Sequence, residues 1–183
     1  MESWAFWRRI DVPGQDACRL WREPGGDWRL AGTAVFHDGV PSVIDYAVVC
    51  DPSWVTRSAR LRGWRGSVDV RVEIQRSADG EWTLDERPMS DLRDCLDVDL
   101  GFTPATNVIQ LRRTALAVGA VADAPSAWFD VASLRLERLE QRYERRSPTA
   151  YWYEAPQFDY AALLEVRSDG FVRDYPGLWK MES

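Results

Sequence analysis

The clearest pattern of hydrophobic and polar positions in the chain is a strict alternation across residues 67–75. One face of an extended chain would carry Val68, Val70, Val72 and Ile74, and the other would carry Asp69, Arg71, Glu73 and Gln75. Such a period of two is typical of a strand that buries one face and leaves the other in water. The alternation therefore predicts an antiparallel sheet.

Turn signals recur at short intervals between segments of this kind. Three hairpins follow from them: residues 28–36 with 43–49, residues 67–75 with 82–85, and residues 163–167 with 171–175. Each connection contains an Asp-Gly step, which supplies the positive φ that tight turns require. We find no linker or repeat that divides the chain. The pattern predicts one mostly β domain over residues 1–183, with at most one or two short helices.

Residues 131–146 are ambiguous between a helix and a strand. Leu136, Leu139 and Tyr143 have helical spacing, and intrinsic propensity favours a helix. Leu134, Leu136 and Arg138 fit the start of a strand equally well.

Composition narrows the classes of function. The chain has 183 residues, 45% of them hydrophobic, which suits a globular domain, and a net charge of −6, which argues against nucleic-acid binding. No apolar run reaches the length of a transmembrane helix, and the N-terminus lacks the pattern of a secretory signal, so we expect a cytoplasmic protein. Cys18, Cys50 and Cys95 lack disulfide or zinc spacing. We therefore expect buried thiols and no cofactor or metal.

Ten tryptophans are spread along the chain, several times the usual share. Most of them fit the core of a sheet, because aromatic side chains suit pleated surfaces. An indole also offers an apolar face and one N–H donor, so we expect a few to line a cavity for an amphipathic ligand.

Residues 96–113 combine carboxylates, a Gly-Phe-Thr-Pro turn, Asn107 and a pair of arginines. On a strand, Asp97 and Asp99 would share one face about 7 Å apart. That spacing suits catalytic carboxylates or a hard metal, but solvated side chains or ion pairs with Arg112 and Arg113 on a neighbouring strand fit as well. Because Asp99 lies between Val98 and Leu100, we predict that it is buried against Arg57, Arg112, Arg113 or backbone N–H groups.

Several motifs together resemble the family described as "Putative glycolipid-binding". They run from Trp7-Arg8 to Trp179 and include Asp97-x-Asp99-Leu100-Gly101, Thr106-Asn107, Arg112-Arg113, Gln141-x-Tyr143-Glu144 and Asp174-Tyr175-Pro176-Gly177. The chain departs from the family at Gln110, where the family usually has proline. The resemblance implies an antiparallel sheet curled into a spiral β-roll or open barrel around a cavity. It also implies a strand for the Gln-x-Tyr-Glu element.

We therefore expect non-catalytic binding of a glycolipid or another amphipathic small molecule. The candidate ligand-binding residues are Tyr46, Trp54, Arg57, Trp82, Asp99, Asn107, Arg112, Gln141 and Tyr143, with Arg57 at the polar end of the cavity. Two alternatives stay open: an enzyme acting on a sugar or phosphoester through Asp97, Asp99 and Arg57, or a protein-interaction module that presents a sheet edge. A nucleophilic hydrolase is disfavoured, because His37 is the only histidine and no Gly-x-Ser-x-Gly motif occurs.

Overall fold

The computed structural model describes residues 2–182, and strands dominate them. The strands are β1 (Glu2–Arg9), β2 (Gly14–Arg22), β3 (Trp28–Asp38), β4 (Val40–Cys50), β5 (Thr56–Arg65), β6 (Val68–Arg76), β7 (Trp82–Leu84), β8 (Arg87–Met89), β9 (Asp97–Leu100), β10 (Val121–Asp123), β11 (Ser126–Asp130), β12 (Arg135–Leu139), β13 (Arg142–Ser147), β14 (Ala150–Ala155), β15 (Tyr160–Val166), β16 (Val172–Tyr175) and β17 (Trp179–Met181). Helix α1 (Asn107–Thr114) and two 3₁₀ turns, Ser90–Leu92 and Pro156–Phe158, complete this part of the chain. The predicted mostly β fold is confirmed.

Fourteen strands form one sheet in the order β10-β13-β14-β15-β16-β17-β1-β2-β3-β4-β5-β6-β7-β8. Its neighbours are antiparallel, and β1 joins the two halves of the chain by pairing with β17. The three predicted hairpins are confirmed as β3–β4, β6–β7 and β15–β16. The alternation at residues 68–74 places Val70, Val72 and Ile74 in the core, while Val68 at the strand start is exposed.

The large sheet curls around a smaller sheet, in the order β12-β11-β9, and around α1. Val98 of β9 donates its backbone N–H to Thr56 Oγ1 on β5 at 3.0 Å, and the next residue, Asp99, accepts a hydrogen bond from Gln141 beside β13. Strands β13 and β5 are nine positions apart in the large sheet. A flat sheet would separate them by about 40 Å, so only a curled sheet brings both to β9.

Residues 131–146 contain no turn of an α-helix: residues 131–134 form a turn, and β12 and most of β13 follow. The strand interpretation is thus confirmed over the helical spacing of Leu136 and Leu139. Both side chains are buried in the packing of the small sheet, while Arg135 and Glu137, on either side of Leu136, are exposed. Burial of these two leucines in the sheet outweighs the helical propensity of this charged segment.

The segment that begins at Asn107 is a helix and not a strand, contrary to the expectation for Arg112 and Arg113. Its first five residues are buried inside the curled sheet, where an isolated strand edge would leave backbone groups unpaired. A helix satisfies most of those groups internally. The two arginines lie in its last turn, where positive charge complements the helix dipole.

Candidate functional site

A cavity of about 340 Å³ lies between the β14–β17 part of the large sheet, the small sheet and the N-terminus of α1. Six aromatic side chains line it: Trp128, Tyr153, Phe158, Tyr160, Tyr175 and Trp179. Its polar lining residues are Asp99, Thr103 and Asn107, and the remaining lining residues are Gly101, Pro104, Leu139, Ala155 and Leu178. The cavity thus joins a broad aromatic surface to a small polar end.

Three tyrosines form a connected cluster in the wall of the cavity. The ring centroids of Tyr153 and Tyr175 are 5.7 Å apart, those of Tyr160 and Tyr175 are 5.5 Å apart, and those of Tyr153 and Tyr160 are 6.1 Å apart. The hydroxyl of Tyr160 donates to the carbonyl oxygen of Pro176 at 2.6 Å, which fixes that ring against the turn before β17. These contacts hold the aromatic faces in place before any ligand enters.

Trp128 forms the opposite part of the wall and packs edge-on against Phe158, with ring centroids 5.1 Å apart. Phe158 is 51% exposed, so this pair marks the side of the cavity that meets solvent. Trp128 also lies directly over Gly101, where a Cβ atom would come within 2.5 Å of the indole Nε1. Glycine at position 101 is therefore what allows the indole to lie so close to the turn after β9.

Asp99 supplies the charge at the polar end. The side chain is 8% exposed, and its Oδ2 accepts a hydrogen bond from Gln141 Nε2. The hydroxyl of Thr106 lies 3.5 Å from Oδ1, at the limit of a hydrogen bond. Burial raises the pKa of Asp99 to about 6, although the hydrogen bonds from Gln141 and Thr106 lower it in part. The carboxylate is therefore mostly ionised at pH 7.5.

Asn107 and Tyr143 form a second polar pair at this end. The amide nitrogen of Asn107 donates to the Tyr143 hydroxyl at 3.0 Å, and the Tyr143 ring lies 4.9 Å from that of Tyr153. Gln141, two residues before Tyr143, has a buried Oε1 with no hydrogen-bond partner within residues 2–182. Gln141, which lies behind the cavity lining, thus retains unused acceptor capacity.

A second buried carboxylate lies behind the cavity wall. Asp16 on β2 accepts hydrogen bonds from the Thr103 hydroxyl and from the Tyr46 hydroxyl, the latter at 2.9 Å to Oδ2. Gly32 makes room for this contact, because a Cβ there would come within 2.5 Å of the Tyr46 hydroxyl oxygen. Burial raises the pKa of Asp16 to about 7, against the opposing effect of these hydrogen bonds. Thr103 therefore couples the cavity lining to a buried titratable group.

Asp97 and Asp99 have different partners, although both are buried. Arg113 forks onto Asp97, with Nε 2.8 Å from Oδ1 and Nη2 2.6 Å from Oδ2. Burial of Asp99 is as predicted, but the prediction of an arginine or backbone partner for it is wrong. The arginine reaches Asp97 instead, because a helix directs Arg113 toward the start of β9 while Asn107 and Thr106 lie beside Asp99.

Of the nine residues predicted for ligand binding, two line the cavity, Asp99 and Asn107. Gln141 and Tyr143 lie behind them, each joined to one of the two by a hydrogen bond. Arg57 lies on the exposed face of β5, 3.7 Å from Asp27. Trp82 is fully buried and donates its indole N–H to Cys95 O at 3.0 Å. Tyr46 is in the Asp16 cluster, and Trp54 stacks on Trp28 with Arg112 above it. The expected lining by Tyr46, Trp54, Trp82 and Tyr143 with Arg57 at one end is therefore corrected, because none of these residues lines this cavity.

The reasoning from sequence missed most of the aromatic wall. Tyr153, Phe158 and Tyr160 come from one aromatic-rich stretch, and Tyr175 and Trp179 flank the Pro-Gly turn near the end of the chain. The available signal was the density of tyrosine and tryptophan over residues 151–179. Its meaning depends on the curl of the sheet, which only the three-dimensional structure supplies.

Residues 2–182 contain no cluster of three or more His, Cys, Asp or Glu side chains suited to a metal ion. None of the helices in this range combines the length and the apolar character needed to cross a membrane.

A curled antiparallel sheet that encloses an aromatic cavity with a carboxylate at its end defines the class of this protein. The chain belongs to the family described as "Putative glycolipid-binding", whose model matches residues 4–181. It is similar to a solved DUF1089 family protein from Pseudomonas aeruginosa, with a TM-score of 0.77 and 26% sequence identity, covering 87% of this chain and 94% of that chain. A comparison with curated proteins finds no match.

Proposed function

We propose that this chain binds an amphipathic small molecule, of the glycolipid kind that the family description names, with its head group in the aromatic cavity. The observation that carries the proposal is the joining of six aromatic side chains to the buried carboxylate of Asp99 in one space. Ligand sites commonly combine a mainly apolar wall with a few placed polar groups.

The size of the cavity limits what part of a ligand it holds. Small-molecule pockets commonly span about 300–1,000 Å³, and this cavity of about 340 Å³ lies near the lower end. A head group with the start of a chain fits that space, whereas a long acyl tail does not. The exposed ring of Phe158 gives the rest of the tail an apolar surface at the cavity rim.

The alternative of an enzyme that uses Asp97, Asp99 and Arg57 has less support. Asp97 is engaged by Arg113, and Arg57 lies on the outer surface of β5. Asp99 is the one residue of that set in the cavity lining. Paired-carboxylate chemistry needs two carboxyl groups that reach the same substrate, so the geometry favours binding over that reaction.

Filling the cavity should weaken the binding of a neutral amphiphile. We expect octyl β-D-glucoside to shift the tryptophan fluorescence saturably, because Trp128 and Trp179 line the cavity. Ala155→Leu adds volume directly to the lining and should weaken binding at least about tenfold.

The matched control is Ala161→Leu, which adds the same atoms on the exposed face of the adjacent strand β15. Its affinity should equal that of the wild type, and thermal melts of both variants report whether they fold. Equal affinities of Ala155→Leu and the wild type would contradict binding in this cavity.

A further inference from the structure

The carboxylate of Asp99 is buried at the cavity end, and no Lys, Arg or His of residues 2–182 forms a hydrogen bond or ion pair with it. Its hydrogen-bond partners are the amide of Gln141 and, at 3.5 Å, the hydroxyl of Thr106. The contrast with Asp97 is direct, because Asp97 two residues earlier carries a bidentate arginine at 2.6–3.0 Å. A buried carboxylate without a counterion carries a desolvation penalty that a positive ligand would offset.

The aromatic wall suits the same kind of ligand. Tyr153, Tyr160 and Tyr175 present a cluster with centroid separations of 5.5–6.1 Å, and Trp128 and Trp179 complete the enclosure. The face of an aromatic ring carries partial negative charge, so it attracts a cation placed over it. Aromatic enclosures with a nearby carboxylate are a known solution for binding organic ammonium groups.

The remaining lining excludes the opposite charge. No Lys, Arg or His is among the described residues that line the cavity, so a phosphate or carboxylate head would meet Asp99 with nothing to neutralise it. A neutral sugar would find acceptors but would leave the buried negative charge uncompensated. Charge complementarity with Asp99 therefore distinguishes cationic, neutral and anionic head groups, although all three fit the volume of the cavity.

We infer that the cavity recognises an organic ammonium group, either the protonated amine of an amino sugar or a quaternary ammonium, with Asp99 as its counterion and the tyrosine cluster against its faces. This inference rests on the proposed function and names the charge class of the head group.

The affinity for such a ligand should depend on pH in a defined direction. An ammonium group binds the ionised form of Asp99, so acidification through the pKa of about 6 should weaken binding. Asp16 behind Thr103 titrates with a pKa of about 7 and faces the same loop. Burial raises the pKa values of tyrosines 143, 153, 160 and 175 above 10. Burial also raises the pKa of Asp97, although the hydrogen bonds and charge of Arg113 oppose the rise. Measuring a neutral probe at each pH separates the effect of Asp99 from that of Asp16. A change in the loop caused by Asp16 alters the affinity of both probes, whereas the charge of Asp99 alters mainly the affinity of the ammonium probe.

The test compares octyl amphiphiles that differ in the head group. Octyl β-D-glucosaminide and octyl β-D-glucoside differ at one position, ammonium against hydroxyl, while octyltrimethylammonium and octyl sulfate add a quaternary cation and an anion. We expect at least one ammonium probe to bind about tenfold or more tightly than the glucoside at pH 7.5, and octyl sulfate to bind most weakly. The ammonium probe that binds more tightly shows whether the preferred head group is an amino sugar or a quaternary ammonium.

Asp99→Asn should remove this preference, so that the ammonium probe loses about tenfold or more in affinity relative to the glucoside measured on the same variant. Asp159→Asn makes the same change of charge at an exposed position beside the rim residue Phe158 and should keep the preference. Should Asp99→Asn fail to fold, the wild-type preference for octyltrimethylammonium over the glucoside must still shrink between pH 7.5 and pH 5, because the charge of a quaternary ammonium does not change with pH.

The two proposals fail in distinguishable ways. A glucoside that binds as tightly as both ammonium probes, with binding still lost in Ala155→Leu, overturns the ammonium inference and leaves the proposed function standing. Binding of every probe that is unaffected by Ala155→Leu, or no binding at all, overturns both.

Discussion

Replacing Arg113 by methionine should lower the free energy of unfolding by about 3–5 kcal/mol, the loss expected when one partner of a buried ion pair is removed. Asp97 is 0% exposed, and all three of its short side-chain contacts come from Arg113, at 2.6, 2.8 and 3.0 Å. Methionine keeps much of the apolar stem but leaves the carboxylate buried and uncompensated. Chemical denaturation at pH 7.5 measures the change.

Arg112→Met is the matched control for this prediction. Arg112 is the neighbouring arginine of α1, and its guanidinium donates to Asp169 O at 3.2 Å and lies 5.9 Å from the Trp54 ring centroid. It compensates no buried carboxylate, so its replacement should cost about 1 kcal/mol. A double variant, Asp97→Leu with Arg113→Met, should recover much of the loss, because both charges are then absent. Equal stabilities of the two single variants would contradict the role assigned to Arg113.

The hairpins were predictable because their signals are local. Asp38-Gly39, Asp79-Gly80 and Asp169-Gly170 each lie at the turn of a confirmed pair of strands, and all three glycines have positive φ. The alternation within β6 likewise reports burial of one face without reference to any distant residue. Local turn chemistry and a period of two are enough to define such elements.

Helix α1 was not predictable in the same way. Val108 and Ile109 are β-branched and favour strands, and the segment follows the strand that carries Asp97 and Asp99. The segment forms a helix because the curled sheet encloses it, and a helix satisfies most of its backbone hydrogen-bonding groups internally. The same enclosure sets the partners of Asp99, since Gln141 is 42 residues away in the chain, and it gathers the aromatic wall from strands β11 to β17. Which residues meet at the cavity therefore depends on the curl of the large sheet, and no local sequence pattern predicts that curl.

Asp16 gives the protein an unusual dependence of stability on pH. The carboxyl is 1% exposed, and two hydroxyls, of Thr103 and Tyr46, are its side-chain partners. Burial raises its pKa from 3.8 to about 7, so between those values the folded state holds a proton that the unfolded state has lost. Stability therefore falls as pH rises across that window and is level above it. Asp99, with a pKa of about 6, acts in the same direction over a narrower window.

Asp16→Asn should remove most of this dependence. An amide stays neutral at every pH, so relative to the wild type the variant should gain about 2–4 kcal/mol of stability at pH 8 compared with pH 5. Denaturant unfolding at both values measures this difference, which is independent of any fixed cost of the substitution. The control is Asp45→Asn, which alters an exposed carboxylate that also accepts a threonine hydroxyl, from Thr33 at 2.6 Å. It should follow the wild type at both pH values. If Asp16→Asn also follows the wild type, Asp16 is ionised in the folded state throughout this range, and its burial among hydroxyls does not govern its titration.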